Sequence, residues 1–257
     1  MENIILFIKS YRGDLERCVA LTESIAKFNR DNIPVYLSVP TDDIELFKQN
    51  TPFYTEIISD NTITSNSDGW VGQQLVKSKV YKLDLCRFYV CLDSDVYFFK
   101  DFYIKDFLYS EDIPYMIMHE RDDFYEFVDR FPELQTYDVR AGHEAEYKSI
   151  MSHFGREGKI YHYGISPYIW DTKVWKWLDD EHNIEKLFEK HPNELKWYGE
   201  AALAMGAPMM PTSPLFKELH FGGQYQLYKQ MGWEEKHFHK QYMGMVMQSN
   251  WGAPLKY

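Results

Sequence analysis

The N-terminal part of the chain alternates strand-like apolar runs with segments whose apolar residues recur at helical spacing. The run NIILFI is followed by the turn-like KSYRGD and then by the amphipathic LERCVALTESIAKFN. The run IPVYLSVP and the segment DDIELFKQN repeat this order as a second strand and a short helix. Such alternation is typical of a parallel sheet covered by helices on both faces. We therefore expect an α/β fold, a single Rossmann-like domain with a mostly parallel central sheet flanked by helices.

Further elements are expected along the rest of the chain, which contains no repeat and no linker-like tract. Strands are predicted at residues 88–92, in IPYMIMHE, at the start of YHYGISPYIWDTKVWKWLDD, and in PLFKELHFGG, where a glycine turn should follow. Helices are predicted in DGWVGQQLVKSKVYKL, at the Trp-rich end of YHYGISPYIWDTKVWKWLDD, and in ELKWYGEAALAMGAP.

Charge and cysteine usage exclude several classes of protein. The net charge of −11 argues against a protein that wraps nucleic acid. Cys18, Cys86 and Cys91 match no zinc or redox spacing, so we expect buried thiols in a reducing compartment. No apolar run is long enough to span a bilayer, and MENIILFIKS lacks a basic signal-peptide start. We expect a cytoplasmic protein without a transmembrane segment, for which peripheral membrane contact stays open.

Two aspartates interrupt the apolar stretch FYVCLDSDVYFF. Carboxylates are costly in a core, so we place Asp93 and Asp95 at the carboxyl end of a strand, where open α/β sheets bind ligands. A spacing of two directs both side chains to one face of an extended backbone. Two carboxylates facing one point suit Mg²⁺ or Mn²⁺. We therefore predict that both are metal ligands; strand-end caps and surface charges are the alternative.

The helix predicted over residues 68–83 presents a polar face directly before this motif. On a helical wheel Gln74, Lys77 and Tyr81 cluster on one side, with Gln73 beside them. A lysine can neutralise a diphosphate, and glutamine amides can hold hydroxyl groups. We predict that Gln73, Gln74 and Lys77 contact a nucleotide ligand, the alternative being an ordinary solvated face.

A strand followed by D-x-D also occurs in the haloacid-dehalogenase-like phosphatases, where the first aspartate is the nucleophile and the second the general acid. That class has Thr or Val two residues after the second aspartate, and this chain has Tyr97. Its motif usually follows the first strand, whereas two predicted strands precede Asp93. A phosphatase and a non-catalytic sugar-binding or scaffold protein remain alternatives.

Several motifs in order along the chain carry a resemblance to a known family. A Q-x-x-K helix precedes CLDSD, YHYGISPYIW contains Gly164, YGEAALAMG contains Glu200, and ELHFGGQY contains His220. In this order the chain resembles the GT-A glycosyltransferases, and within them the glycogenin and lipopolysaccharide-galactosyltransferase branch. It lacks the branch's asparagine before Gly164 and has Glu200 in place of an aspartate. GWVGQQLVK with LDSD also resembles an uncharacterised bacterial family assigned to this class.

The resemblance implies one GT-A domain over residues 1–257. Residues 1–100 would form the nucleotide-binding half, and residues 101–257 the acceptor-side half with the HFGG segment and a lid. It implies a divalent metal, Mn²⁺ or Mg²⁺, held by Asp93, Asp95 and His220, and a nucleotide-sugar donor with UDP as the default. The remaining residues assigned to the donor are Tyr11, Arg12, Gln73, Gln74, Lys77, Ser94, Gly222 and Gly223.

The resemblance also implies transfer of a hexose to a glycan or glycolipid acceptor in bacterial surface polysaccharide or glycoconjugate synthesis. Lys77 would stabilise the leaving diphosphate. Glu200 would stabilise an oxocarbenium-like state in a retaining reaction or deprotonate the acceptor in an inverting one. Candidate sugar-facing elements are HERDDFYEFVDRF, Trp170, Trp175, Trp177 and Trp197, and the candidate lid is QYMGMVMQSNWGAP.

Overall fold

The computed structural model describes residues 2–120, 122–134 and 139–257. Within these residues the strands are β1 (Glu2–Lys9), β2 (Val35–Val39), β3 (Glu56–Ser59), β4 (Cys86–Asp93), β5 (Val96–Phe98), β6 (Leu108–Ser110), β7 (Ile113–Ile117), β8 (Tyr168–Asp171), β9 (Met210–Thr212), β10 (Phe216–Leu219) and β11 (Gly244–Met247). The α-helices of the same residues are α1 (Leu15–Phe28), α2 (Ile44–Asn50), α3 (Asp60–Ile63), α4 (Gly69–Ser78), α5 (Asp122–Arg130), α6 (Val139–His153), α7 (Thr172–His182), α8 (Ile184–Lys190), α9 (Glu194–Met205) and α10 (Gly222–Gln230).

The central sheet has the strand order β3-β2-β1-β4-β8. Its first four strands are parallel, and β8 pairs antiparallel with β4. This confirms the expected fold class, a mixed α/β fold with a mainly parallel central sheet flanked by helices. Two smaller sheets, β10-β11-β5 and β6-β7-β9, lie beside it.

The period-2 alternation of β1 builds a core on each face of the central sheet. Ile5 and Phe7 pack in a cluster that also holds buried residues of α4, α7 and α9. Ile4, Leu6 and Ile8 pack in a second cluster with residues of α1. Because successive strand side chains point to opposite faces, a strand buried on both faces reads as a continuous apolar run.

The structure corrects three sequence-based expectations about local structure. The helix predicted over residues 68–83 is α4 followed by a separate 3₁₀ turn at Val80–Leu83. The HFGG segment does not form a glycine turn, because Gly222 and Gly223 open helix α10. The candidate lid contains the buried strand β11, which is hydrogen-bonded between β10 and β5 and so is fixed in a sheet.

The tryptophans proposed as sugar-facing elements belong mainly to the core. Trp170, Trp175 and Trp197 are fully buried, and Trp177 packs against the same cluster. The three cysteines are buried free thiols, as expected. Across the described residues, no helix combines the length and apolar character needed to cross a bilayer.

Candidate functional site

A cavity of about 560 Å³ opens at the carboxyl ends of β1 and β4. Lys9 at the end of β1 pairs in register with Asp93 at the end of β4. The chain leaves β1 toward β2 on one side and returns to β4 on the other, which makes this point a topological switch point. Open α/β sheets bind ligands in the crevice outside the strand ends at such a point.

The cavity brings together most of the residues that the sequence singled out. The predicted residues that line it are Tyr11, Gln73, Lys77, Asp93, Ser94, Asp95 and His220. They come from the loop after β1, from α4, from the turn after β4 and from the segment after β10. Residues far apart in the chain therefore share one crevice.

Asp93 is held by two donors at the cavity wall. The Lys77 ammonium lies 2.9 Å from its Oδ1, and the Tyr168 hydroxyl donates to its Oδ2 at 3.1 Å. Lys77 also contacts Oε1 of Glu194 at 2.5 Å. Burial alone would lower the pKa of Lys77, but the charges of Asp93 and Glu194 outweigh burial and keep that pKa well above its usual value. Lys77 therefore remains a cation in the wall.

Asp95 lies in a turn and not on an extended strand, which corrects the geometry expected of the D-x-D. The strand β4 ends at Asp93, Ser94 and Asp95 form a turn, and β5 joins a different sheet. Both carboxylates still line the cavity. The backbone N–H of Ser249 donates to Oδ2 of Asp95 at 2.9 Å, and Ser94 Oγ donates to Asp14 Oδ2 at 3.1 Å.

The Asp95 carboxyl is shifted toward its neutral form. Burial, reinforced by the charge of Asp93, raises its pKa to about 6 from an ordinary value of 3.8. The Ser249 N–H and the charge of Arg17 act in the opposite direction without cancelling this shift. A cation bound between the two carboxylates would relieve the repulsion.

His220 is oriented by its neighbours. Its Nδ1 lies 3.0 Å from Oε1 of Glu218, and its backbone N–H donates to Oε1 of Gln224 at 2.9 Å. The Phe124 ring packs edge-on against the imidazole, with the ring centroids 5.1 Å apart. A proton on Nδ1 for the Glu218 contact leaves the Nε2 lone pair for a ligand, as in carboxylate–histidine–metal arrangements.

The cavity wall is rich in carboxylates. Those that line it are Asp14, Asp93, Asp95, Glu194 and Glu218, and the lysines that line it are Lys9, Lys77 and Lys196. Lys9 pairs with Asp60 at 2.9 Å, and Lys196 pairs with Glu146. Among the described residues, neither Asp60 nor Glu146 lines the cavity, so these two lysines are neutralised by acids outside the wall. The wall thus carries excess negative charge, which favours a cation.

The donor set of Asp93, Asp95 and His220 fits a divalent ion in its chemistry. Carboxylate oxygens and a neutral imidazole suit Mn²⁺ or Mg²⁺. Among the described residues, no group of three or more His, Cys, Asp or Glu side chains is already arranged to hold a metal ion. The fit therefore rests on the donor types, on the raised pKa of Asp95 and on the acidic wall.

A family model described as a family of unknown function, DUF6492, matches residues 3–187. The chain belongs to this family. A search of curated proteins finds no match to the sequence. The DUF6492 match includes Lys77, Asp93 and Asp95 but ends within α8, before Glu194 and His220.

Glu200, predicted to be the catalytic carboxylate, lies outside this cavity. Its side chain is fully buried and accepts hydrogen bonds from Arg156 Nε at 2.5 Å, Arg156 Nη2 at 2.6 Å and the Tyr163 hydroxyl at 2.6 Å. These contacts occupy both carboxylate oxygens. The sequence-based assignment of Glu200 is therefore corrected: it is a buried partner of Arg156.

Four other residues predicted to bind the donor are not in the lining of this cavity. Arg12 is held by Asp43 through its backbone N–H at 2.8 Å and its Nε at 2.6 Å. Gln74 is buried and accepts from the Glu194 backbone N–H at 3.2 Å. Gly222 and Gly223 open α10, and a Cβ at Gly222 would lie 3.3 Å from the Trp251 ring. Close packing on Trp251 accounts for that glycine.

Glu194 lines the cavity, lies beyond the DUF6492 match, and was not predicted from the sequence. The signal was present, because Asn193 caps α9 and accepts from the Lys196 N–H, so the acid that opens the helix is Glu194. Trp70, which lies within the match, also lines the cavity and was not predicted; it is 65% exposed. Nothing in a single sequence distinguishes such a tryptophan from a core residue.

The stretch HERDDFYEFVDRF lines a second cavity. Arg121 and the side chains of Asp122 and Asp123 lie outside the described residues. His119, Glu120, Phe124, Glu126 and Phe127 line a cavity of about 470 Å³ next to the first.

Proposed function

We propose that the protein is a divalent-metal-dependent glycosyltransferase of the GT-A type that uses a nucleotide-sugar donor. One observation carries the proposal: Asp93 at the end of β4 and Asp95 in the turn after it line the same switch-point cavity as His220, which lies more than a hundred residues later. The excess of carboxylates in the wall also supports it, because a diphosphate would enter such a cavity only with a cation.

Asp93, Asp95 and His220 would hold the cation, whose charge would stabilise the diphosphate as the sugar leaves. Glu218 positions the His220 ring, and the Ser249 N–H positions Asp95. Lys77 contributes a permanent positive charge at the same wall. The tightly paired Lys77 serves mainly to fix Asp93 and Glu194.

Two exposed aromatic residues at the cavity suit the nucleotide base. Tyr11 is 41% exposed, and Trp70 is more exposed still. Large rings that stay exposed next to a polar cavity offer stacking surface to a base at little cost in folding. Gln73 lines the same cavity and can hold ribose or sugar hydroxyls through its amide. We take a UDP-sugar as the donor.

Glu194 replaces Glu200 as the carboxylate of the reaction. It lines the cavity and is held by Lys77 at the first turn of α9. In a retaining reaction its charge would stabilise the oxocarbenium-like sugar, and in an inverting reaction it would accept the proton of the acceptor hydroxyl. We propose a glycan or glycolipid as the acceptor and the cytoplasm as the location of the reaction.

A thermal-shift panel tests the proposal. We expect UDP-sugars to raise the melting temperature with Mn²⁺ and to have little effect with EDTA. A phosphatase would instead hydrolyse simple phosphate esters and form an aspartyl-phosphate at Asp93. A non-catalytic sugar-binding protein would bind glycans equally well with EDTA and leave every donor intact. Either of these last outcomes would overturn the proposal.

A further inference from the structure

A second cavity adjoins the first. Its volume is about 470 Å³, within the range of small-molecule sites. Ile165 and Glu218 line both cavities, so the two share part of their wall. A ligand in the second cavity would therefore meet a ligand in the first across these residues.

The second cavity presents aromatic rings to a ligand. Phe124, Phe127, Tyr228 and Tyr242 line it. The Lys217 ammonium lies over the rings of both tyrosines, 5.4 Å from the Tyr228 centroid and 5.9 Å from the Tyr242 centroid. A cation over two rings fixes the wall that they form. Apolar ring faces of this kind pack against the C–H faces of sugars.

The polar groups of the second cavity are mixed in sign. Glu120, Glu126 and Glu218 supply acceptors, Lys217 supplies donors, and the Gln241 amide supplies both. An anionic ligand would be repelled by these three carboxylates, which outnumber the one lysine of the described lining. Donors and acceptors beside aromatic rings match the hydroxyl groups of an uncharged sugar.

The wall of the second cavity is bonded to the proposed metal ligand. Gln224, which is buried, accepts the His220 backbone N–H, and Glu218 contacts the His220 imidazole. Both of these residues line the second cavity. The reacting end of a ligand there would thus face the donor side of the site.

We infer that the second cavity binds the acceptor of the transfer reaction, and that this acceptor is a neutral glycan. The inference rests on the proposed function, since only a transferase needs a hydroxyl acceptor beside the donor. Transfer would form a bond from the anomeric carbon to the acceptor oxygen and break the bond to the diphosphate. The hydroxyl proton would pass to Glu194 in an inverting reaction or to the departing diphosphate in a retaining one.

Saturation-transfer NMR tests this inference with maltose, cellobiose, lactose and N,N′-diacetylchitobiose as neutral probes and glucuronic acid as an anionic one. Wild-type protein with Mg²⁺ and UDP should saturate at least one neutral probe. Gln241→Trp places a large ring at an exposed lining position, so it should fill the cavity without loss of folding. We expect it to weaken the neutral signal about tenfold. The matched surface variant Tyr109→Ala should leave that signal unchanged.

The inference is overturned if no neutral probe is saturated, or if the signal of the neutral probe persists in Gln241→Trp. Preferential saturation of glucuronic acid would also contradict it. The same samples report the melting shift with Mg²⁺ and UDP. If UDP raises the melting temperature only with the metal and no saccharide is saturated, the acceptor site is refuted and the proposed function is not. If Gln241→Trp blocks saccharide binding but UDP does not change the melting temperature, the transferase proposal is refuted and the second cavity is a saccharide site only.

Discussion

The Lys77 ammonium and the Asp93 carboxylate form an ion pair, with Nζ 2.9 Å from Oδ1, that ties α4 to the end of β4. The lysine side chain is 8% exposed and the aspartate side chain 33%. Nζ also contacts the nearly buried Glu194, so one lysine balances two acids from different elements. This arrangement forms part of the cavity wall, and it makes the stability of the folded protein depend on Lys77.

Replacing Lys77 by methionine should lower the free energy of unfolding by about 3 kcal/mol, because it leaves Glu194 buried and unpaired. Lys176→Met is the matched control, since Lys176 is 62% exposed and paired with the exposed Asp180. That control should change stability by less than about 1 kcal/mol. Urea denaturation measures both. Equal effects of the two substitutions would refute the structural role of Lys77.

Glu194 and Glu200 should separate in their effects although both lie on α9. Glu200→Gln weakens the paired contact with the Arg156 guanidinium and should cost about 2 kcal/mol of stability, with UDP binding retained. Glu194→Gln should reduce sugar transfer about a hundredfold while Mn²⁺-dependent UDP binding persists. Scanning calorimetry measures the stability of the two variants, titration calorimetry measures their UDP binding, and donor turnover measures their rate of sugar transfer. The opposite pattern would restore Glu200 as the carboxylate of the reaction.

The raised pKa of Asp95 gives the metal-free protein a defined pH dependence. The folded protein disfavours the ionised carboxyl, so the penalty is full above pH 6 and fades as the pH falls toward 4. In EDTA, Asp95→Asn should therefore be more stable than wild type by about 2 kcal/mol at pH 7.5. The difference should vanish near pH 4. An Asn variant that is less stable at pH 7.5 would contradict this.

Trp70→Ala should weaken UDP binding about tenfold, because it removes a stacking surface. Folding should be unaffected, since the side chain is 65% exposed. Tyr109→Ala removes another exposed aromatic residue, 56% exposed on β6, and serves as the control. Calorimetric titration with UDP and Mn²⁺ compares them. Identical affinities in both variants would remove Trp70 from the nucleotide site.

The sequence predicted the strand that carries the aspartates better than it predicted their surroundings. The apolar run before Asp93 was predicted to be a buried strand, and it is β4, which ends at that aspartate. Which polar residue faces the cavity depends on partners far away in the chain. Glu200 is buried because Arg156 reaches it from 44 residues earlier, and no local pattern records that contact.

The conformations of turns and glycines were also poorly predicted from the sequence. The turn at Ser94 arises because β5 pairs with β11, a strand almost 150 residues later in the chain. Gly222 was expected to approach a phosphate, and instead it packs on Trp251 at the start of α10. In both cases the tertiary partner decides the conformation, and local sequence leaves it open.

Electron paramagnetic resonance of Mn²⁺ with UDP tests most directly whether Asp93, Asp95 and His220 share one cation. The account predicts one Mn²⁺ bound per chain in wild-type protein, lost in Asp95→Ala and in His220→Ala. It predicts full binding in His237→Ala, since His237 lies in an exposed turn. Binding that survives in both cavity variants, or no Mn²⁺ bound by wild type, would contradict the central claim.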